Sequence, residues 1–178
     1  MFVIPLTLIA DSIGNALDCS SNSWTSGGAS NWYAQNSTTH DGSDAVQSGA
    51  ISHNQTSWME TAVNGPANIS FWWKVSSESG YDYLKFYIDG VEQDSISGET
   101  SWAQKTYTLT SGSHTLKWVY SKDGSVNNGS DIIRSRYAGA SVTGKLLFVG
   151  FEYLQRVKVE DKYHLILNLL AELACQTL

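Results

Sequence analysis

Two loops concentrate the side-chain oxygens that could hold a metal ion. The stretch "HDGSD" carries Asp41 and Asp44, and "DGSVNNGSD" carries Asp123, Ser125, Asn127 and Asp131 among glycines that allow a tight wrap. Calcium is a hard cation that takes carboxylate, amide and carbonyl oxygens from flexible loops. A structural calcium at Asp41, Asp44, Asp123, Asn127 and Asp131 is therefore one expectation. The second loop is not an EF-hand, because Asn128 stands where that loop needs Gly and no closing Glu follows. The competing expectation is a set of ordinary Asx turns, which need no ion.

Catalytic chemistry has little to work with. The chain has no Gly-x-Ser-x-Gly, His-Glu-x-x-His, Cys-x-x-Cys or phosphate-cradling loop. His40, His53, His114 and His164 are scattered, and Glu78 with Asp82 is a carboxylate pair confined to one short loop. The expectation is a protein that is not an enzyme. The net charge of −6 and the lack of a basic cluster argue against a phosphate-backbone binder, so no nucleic-acid partner is expected. No apolar run reaches the roughly 18 residues of a membrane-spanning helix. Cys19 and Cys175 lie near opposite ends of the chain; two free thiols are the plainer expectation and a disulfide between them the alternative.

The elements that would position these groups are strands. From Ser57 to Tyr120 apolar residues alternate with polar ones in short segments divided by Gly, Ser, Asp and Pro. Ile69, Phe71, Trp73 and Val75 fall on one face of "ANISFWWKV", with Ser70, Trp72 and Lys74 on the other. Leu84, Phe86 and Ile88 repeat the pattern before Asp89-Gly90, a two-residue hairpin signal, and Leu116, Trp118 and Tyr120 repeat it again. "NGPA" at Asn64–Ala67 reads as a turn. Residues 20–52 read as long loops around one or two edge strands near Asn31–Gln35. The fold expected is all-β, an antiparallel β-sandwich of jelly-roll type.

If strands 69–75 and 82–88 pair with Trp73 opposite Leu84, the outward face gathers Trp72 beside Lys85, Lys74 beside Tyr83, and Ser70 beside Tyr87. Trp72, Lys74, Tyr83, Lys85 and Tyr87 would then form an aromatic platform with polar donors, suited to the apolar C–H face and the hydroxyls of a sugar ring. The plainer alternative is that a loop or the C-terminal segment covers Trp72.

Residues 11–131 resemble bacterial extracellular jelly-roll modules of the MAM-like and cleaved-adhesin-like type. The resemblance rests on the His40-Asp41-Gly42 turn, "SGAI", "SFWWKVSSE", "FYIDG" and "HTLKWVYSKDGS". It implies a non-catalytic adhesion or binding module for carbohydrate or a surface protein, extracellular or at the cell surface, within a larger multidomain protein. A spacer domain with no ligand of its own is the alternative. Such modules usually close with a strand bearing Trp and an acidic pair, whereas here "IIRSRYAGASV" follows Asp131. The composition changes at the same point: every Arg and no Trp lies beyond it. Residues 132–178 are thus read as a distinct tail, of fused, diverged or frame-shifted origin, ending in a helix over residues 160–176 with Ile166, Leu169, Leu170 and Leu173 on one face.

Overall fold

The computed structural model describes residues 12–125 and the backbone of residues 132–141. A short helix α1 (Ile13–Ala16) precedes strands β1 (Trp24–Gly28), β2 (Tyr33–Gln35), β3 (Ala45–Gln47), β4 (Thr56–Ser76), β5 (Tyr83–Ile88), β6 (Val91–Ile96), β7 (Ala103–Ser121) and β8 (Ile132–Ser141). Every strand pairing is antiparallel. The helix expected near the C-terminus lies outside the described residues.

Strands β4 and β7 are long enough to serve two sheets. The N-terminal half of β4 pairs with β1 and with the C-terminal half of β7, which continues to β5 and β6. The C-terminal half of β4 pairs with the N-terminal half of β7 and with β8, which continues to β3 and β2. The first sheet is therefore β1-β4-β7-β5-β6 and the second β2-β3-β8-β4-β7, with both long strands turning the corner between them.

The expected turn at Gly65-Pro66 is this corner. The β4–β7 register passes from Gly65↔Gly112 to Ala67↔Leu109, so one residue of β4 faces two of β7. Pro66 has no N–H to give the ladder, and a bulge is where a sheet tolerates that loss. A Cβ at Gly65 would strike the carbonyl of Thr110, and Gly112 sits at φ +118°, so both positions need glycine. Odd-numbered residues of β4 stay inward through the corner, from Met59 and Val63 to Phe71 and Val75. On β7 the extra residue switches the inward set from Leu109 to Leu116, Trp118 and Tyr120.

The core lies between the two sheets. Phe71 of the second sheet meets Phe86 at 4.7 Å and Trp118 at 5.1 Å, both from the first. Lys105 of β7 reaches Asp94 of β6 at 2.6 Å, linking the sheets along one edge. Burial, followed by the nearby Asp94 charge, pushes the Tyr107 hydroxyl up to about 12. The strand at Tyr33–Gln35 lies on an edge as expected, whereas β1 was not foreseen. Cys19 is fully buried and disulfide-bonded, which corrects the expectation of two free thiols; Cys175 lies outside the described residues.

The Asp89-Gly90 hairpin forms with both residues at positive φ, 51° and 79°. Asp89 Oδ2 lies 2.7 Å from His114 Nδ1, and its Oδ1 accepts from the Thr115 N–H at 2.8 Å. The other ring nitrogen of His114 lies 3.0 Å from the Thr110 carbonyl oxygen. Two acceptors at the two ring nitrogens favour the imidazolium. His114 is raised from 6.5, first by its bond to Asp89, and Asp89 is lowered from 3.8, first by its bond to His114. A raised His stabilises the fold below its unfolded pKa and loses that effect as pH rises through the folded value; a lowered Asp stabilises above its unfolded pKa. The pair should contribute most in the window between 3.8 and 6.5. In urea titrations, the midpoint difference between wild type and His114→Gln should be largest near about pH 5 and shrink by about pH 9.

Candidate functional site

The pairing of strands divides the expected platform. Strand 69–75 does not pair with strand 82–88: β4 there lies between β7 and β8, and β5 lies between β7 and β6. Alternation within each segment was read correctly, but alternation does not say which strands are neighbours. Phe71 and Phe86 do meet, across the core instead of along one sheet. Trp72 and Lys74 consequently lie on the outer face of the second sheet, and Tyr83, Lys85 and Tyr87 on the outer face of the first.

On the first sheet's outer face the polar groups engage one another. Lys85 Nζ donates to Glu92 Oε2 at 3.0 Å, and the Tyr87 hydroxyl donates to the same oxygen at 3.2 Å. The Tyr83 hydroxyl donates to the Gly80 carbonyl at 3.0 Å. Lys117 Nζ bonds Glu60 at 2.8 Å and stands over the Trp58 ring at 4.1 Å. The bond to Glu92 holds the Lys85 ammonium above its usual pKa, and the bond to Lys85 holds the Glu92 carboxyl below its own. Burial raises the Tyr87 phenol. A ligand here would have to break ion pairs already made.

The second sheet's outer face has a different chemistry. Asn68, Ser70, Trp72 and Lys74 of β4 alternate with the buried core residues, and β7 sets Thr108, Thr106 and Gln104 opposite the first three. Gln104, Thr106 and Thr108 are exposed, and Trp72 and Lys74 are partly exposed. This set contains no acid. Thr108 Oγ1 and Asn68 Oδ1 are 2.7 Å apart, so the hydroxyl donates to the amide oxygen.

A second tryptophan and a histidine complete an aromatic cluster at its centre. Trp102 lies just before β7, and His40 lies in the β2–β3 loop. The His40 ring stacks on Trp72 with centroids 4.0 Å apart and planes 21° apart, and stands edge-on to Trp102 at 5.8 Å. Sequence reasoning named Trp72 and missed both partners. Trp102 sits in a loop outside the strand alternation, and the sequence distance between residues 40 and 72 hides the stack.

The expected calcium ligands are not gathered at one place among the described residues. Asp41 accepts the Ser43 N–H at 3.0 Å within its own turn. Asp123 instead joins Glu78 and Asp82, whose carboxylate oxygens lie within 4.8 Å of one another. Asn127 and Asp131 lie outside the described residues. Asp82 is fully buried and pairs with the equally buried Lys122 at 2.7 Å, while its other oxygen accepts the Asp123 N–H at 2.9 Å. Glu78 Oε2 is buried and has no hydrogen-bond partner among the described residues. Glu78 and Asp82 are thus close, but Asp82 has no exposed surface from which to act on a substrate.

The fold is an antiparallel β-sandwich with almost no helix among the described residues. Its solved neighbours include the secreted serine protease VesC from Vibrio cholerae, at TM-score 0.51 and 14% identity over 74% of this chain. The match spans 27% of VesC. They also include the K2 cleaved adhesin domain of Lys-gingipain, at TM-score 0.51 and 14% identity, covering 74% of this chain and 93% of that domain. A family 22 carbohydrate-binding module of Clostridium thermocellum Xyn10B matches at TM-score 0.46 and 11% identity, covering 70% of this chain and 88% of that one. No family model and no curated protein sequence matches the chain.

Removing one partner of a buried ion pair strands the other charge. Lys122→Met should therefore cost about 3–5 kcal/mol in denaturant titration. Adding Asp82→Asn removes the stranded charge while keeping an acceptor for the Asp123 N–H, and should recover most of that loss.

Proposed function

We propose that the chain is a non-catalytic extracellular binding module, of the MAM-like or cleaved-adhesin-like kind, that takes carbohydrate on the outer face of its second sheet around Trp72. The observation that carries this reading is a partly exposed tryptophan with neutral Ser70 on its own strand and Gln104 and Thr106 on β7, while β8 sets Arg136 and Arg134 in register with Trp72 and Lys74. A sugar ring offers an apolar C–H face that stacks on indole and a rim of hydroxyls that exchange hydrogen bonds with Gln104, Thr106 and Ser70. The first sheet's outer face fits this role less well, because its polar groups are already paired. The non-catalytic part draws support from Asp82, which is fully buried against Lys122 and so cannot complete an acid–base pair with Glu78.

A glycan array tests the proposal. Trp72→Ala should lower affinity by about tenfold or more, since the stack is worth about 1 kcal/mol beyond the area it covers. Tyr87→Ala, on the opposite face, should leave binding unchanged. A well-folded protein that binds no glycan would favour a spacer domain of a larger surface protein, and loss of binding with Tyr87→Ala alone would move the site to the other sheet.

Calcium belongs to the proposal as a structural ion. Asp123 is the expected ligand that stands among other carboxylates, and Glu78 Oε2 beside it, buried and without a partner among the described residues, would gain from a hard cation. Calcium at a hundredfold excess over Kd should raise the melting midpoint by on the order of 10 °C relative to chelator. An unchanged midpoint would remove calcium from the proposal.

A further inference from the structure

His40 occupies the position over Trp72 that a stacked ring would take. Its centroid is 4.0 Å from the indole with planes 21° apart, yet the residue itself is exposed, so it lies on the indole as a cover and not as part of the core. The loop that carries it is shaped by bonds between near neighbours. The Gln35 side chain closes on Ser37 and Thr38, the Thr39 hydroxyl accepts the Gly42 N–H at 3.0 Å, and Asp41 accepts the Ser43 N–H at 3.0 Å. Gly42, at φ +92° with open space around it, gives the turn a pivot of low steric cost.

From this we infer that His40 is an internal plug of the Trp72 site: the β2–β3 loop holds its imidazole on the indole in the free protein, and a bound sugar ring displaces it. The inference rests on the reading of Trp72 as the stacking residue. The free protein then sits mostly in a closed form, and apparent affinity is reduced by the fraction of time the plug is in place. The opposite role is a fixed wall, in which the imidazole contributes to the bound state.

The two roles predict opposite trends along one series. Binding of xylohexaose, cellohexaose and mannohexaose would be measured by calorimetry for wild type, His40→Ala and His40→Trp. A plug predicts His40→Ala tighter by on the order of fivefold, the equivalent of one lost aromatic stack, and His40→Trp weaker. Binding by His40→Ala alone would be the extreme form of the same result. Equal or weaker binding by His40→Ala overturns the plug and leaves the Trp72 site standing. Binding by none of the three overturns both readings.

Discussion

The structure depends on one ladder. Strands β4 and β7 pair along nearly their whole lengths and turn together from one sheet into the other, so each sheet is organised around one half of the same two-stranded ribbon. A ribbon of that length could not stay flat and still bury both of its apolar halves. The bulge at Gly65–Ala67 resolves this by giving β7 one extra residue, which bends the pair and resets which β7 residues point inward. The Phe71, Phe86 and Trp118 cluster is the result: a residue from beyond the bend meets two from the other sheet. The Asp89–His114 pair and its bond to Thr110 fasten the β5–β6 hairpin to the same bend.

The ladder also sorts the outer faces. Residues that alternate with the core must lie outside, and β4 sends Trp58 and Glu60 outward on one sheet and Ser70, Trp72 and Lys74 on the other. One strand thus furnishes two surfaces of unlike chemistry. On the first, cations and anions from adjacent strands neutralise one another, as cross-strand pairs tend to. On the second, β7 sets hydroxyls and an amide beside Asn68, Ser70 and Trp72, and β8 sets Arg136 and Arg134 in register with Trp72 and Lys74. The neutral groups on the β7 side make weaker bonds to each other and to water, so they can be exchanged for bonds to a neutral polyhydroxylated ligand at little cost.

Strands, the Asp89-Gly90 hairpin and most of the core were legible in the sequence, because a period of two follows directly from the pleat. Neighbour relations were not legible. Residues 69–75 and 82–88 adjoin in sequence and invite a hairpin, but the chain uses the intervening loop to cross to the other sheet. That single difference moved Tyr83, Lys85 and Tyr87 to the far side of the molecule from Trp72. Trp72 was named together with Lys85, its expected cross-strand neighbour; its outward position held, and its neighbours on the ladder proved to be Gln104 and Arg136. Trp102 and His40 could be found only once the loops were placed, since nothing periodic marks a loop residue. The buried Asp82–Lys122 pair was equally hidden, because a charged residue in the sequence reads as surface until its counter-ion is known.

The strand that follows Asp131 bears on the site despite its foreign composition. Strand β8 lies between β4 and β3, with Ser135 in register with both Trp73 and Val46. A ladder is made by backbone N–H and C=O groups, which every residue other than proline supplies in full, so "IIRSRYAGAS" can fill a place where a different sequence was expected. By filling it, β8 joins the β2–β3 hairpin to the sheet one strand away from Trp72. From there the β2–β3 loop crosses the width of β8 and sets His40 on the indole. The change in composition at residue 131 is therefore not the boundary of the aromatic site, since the covering of Trp72 depends on a strand from beyond it.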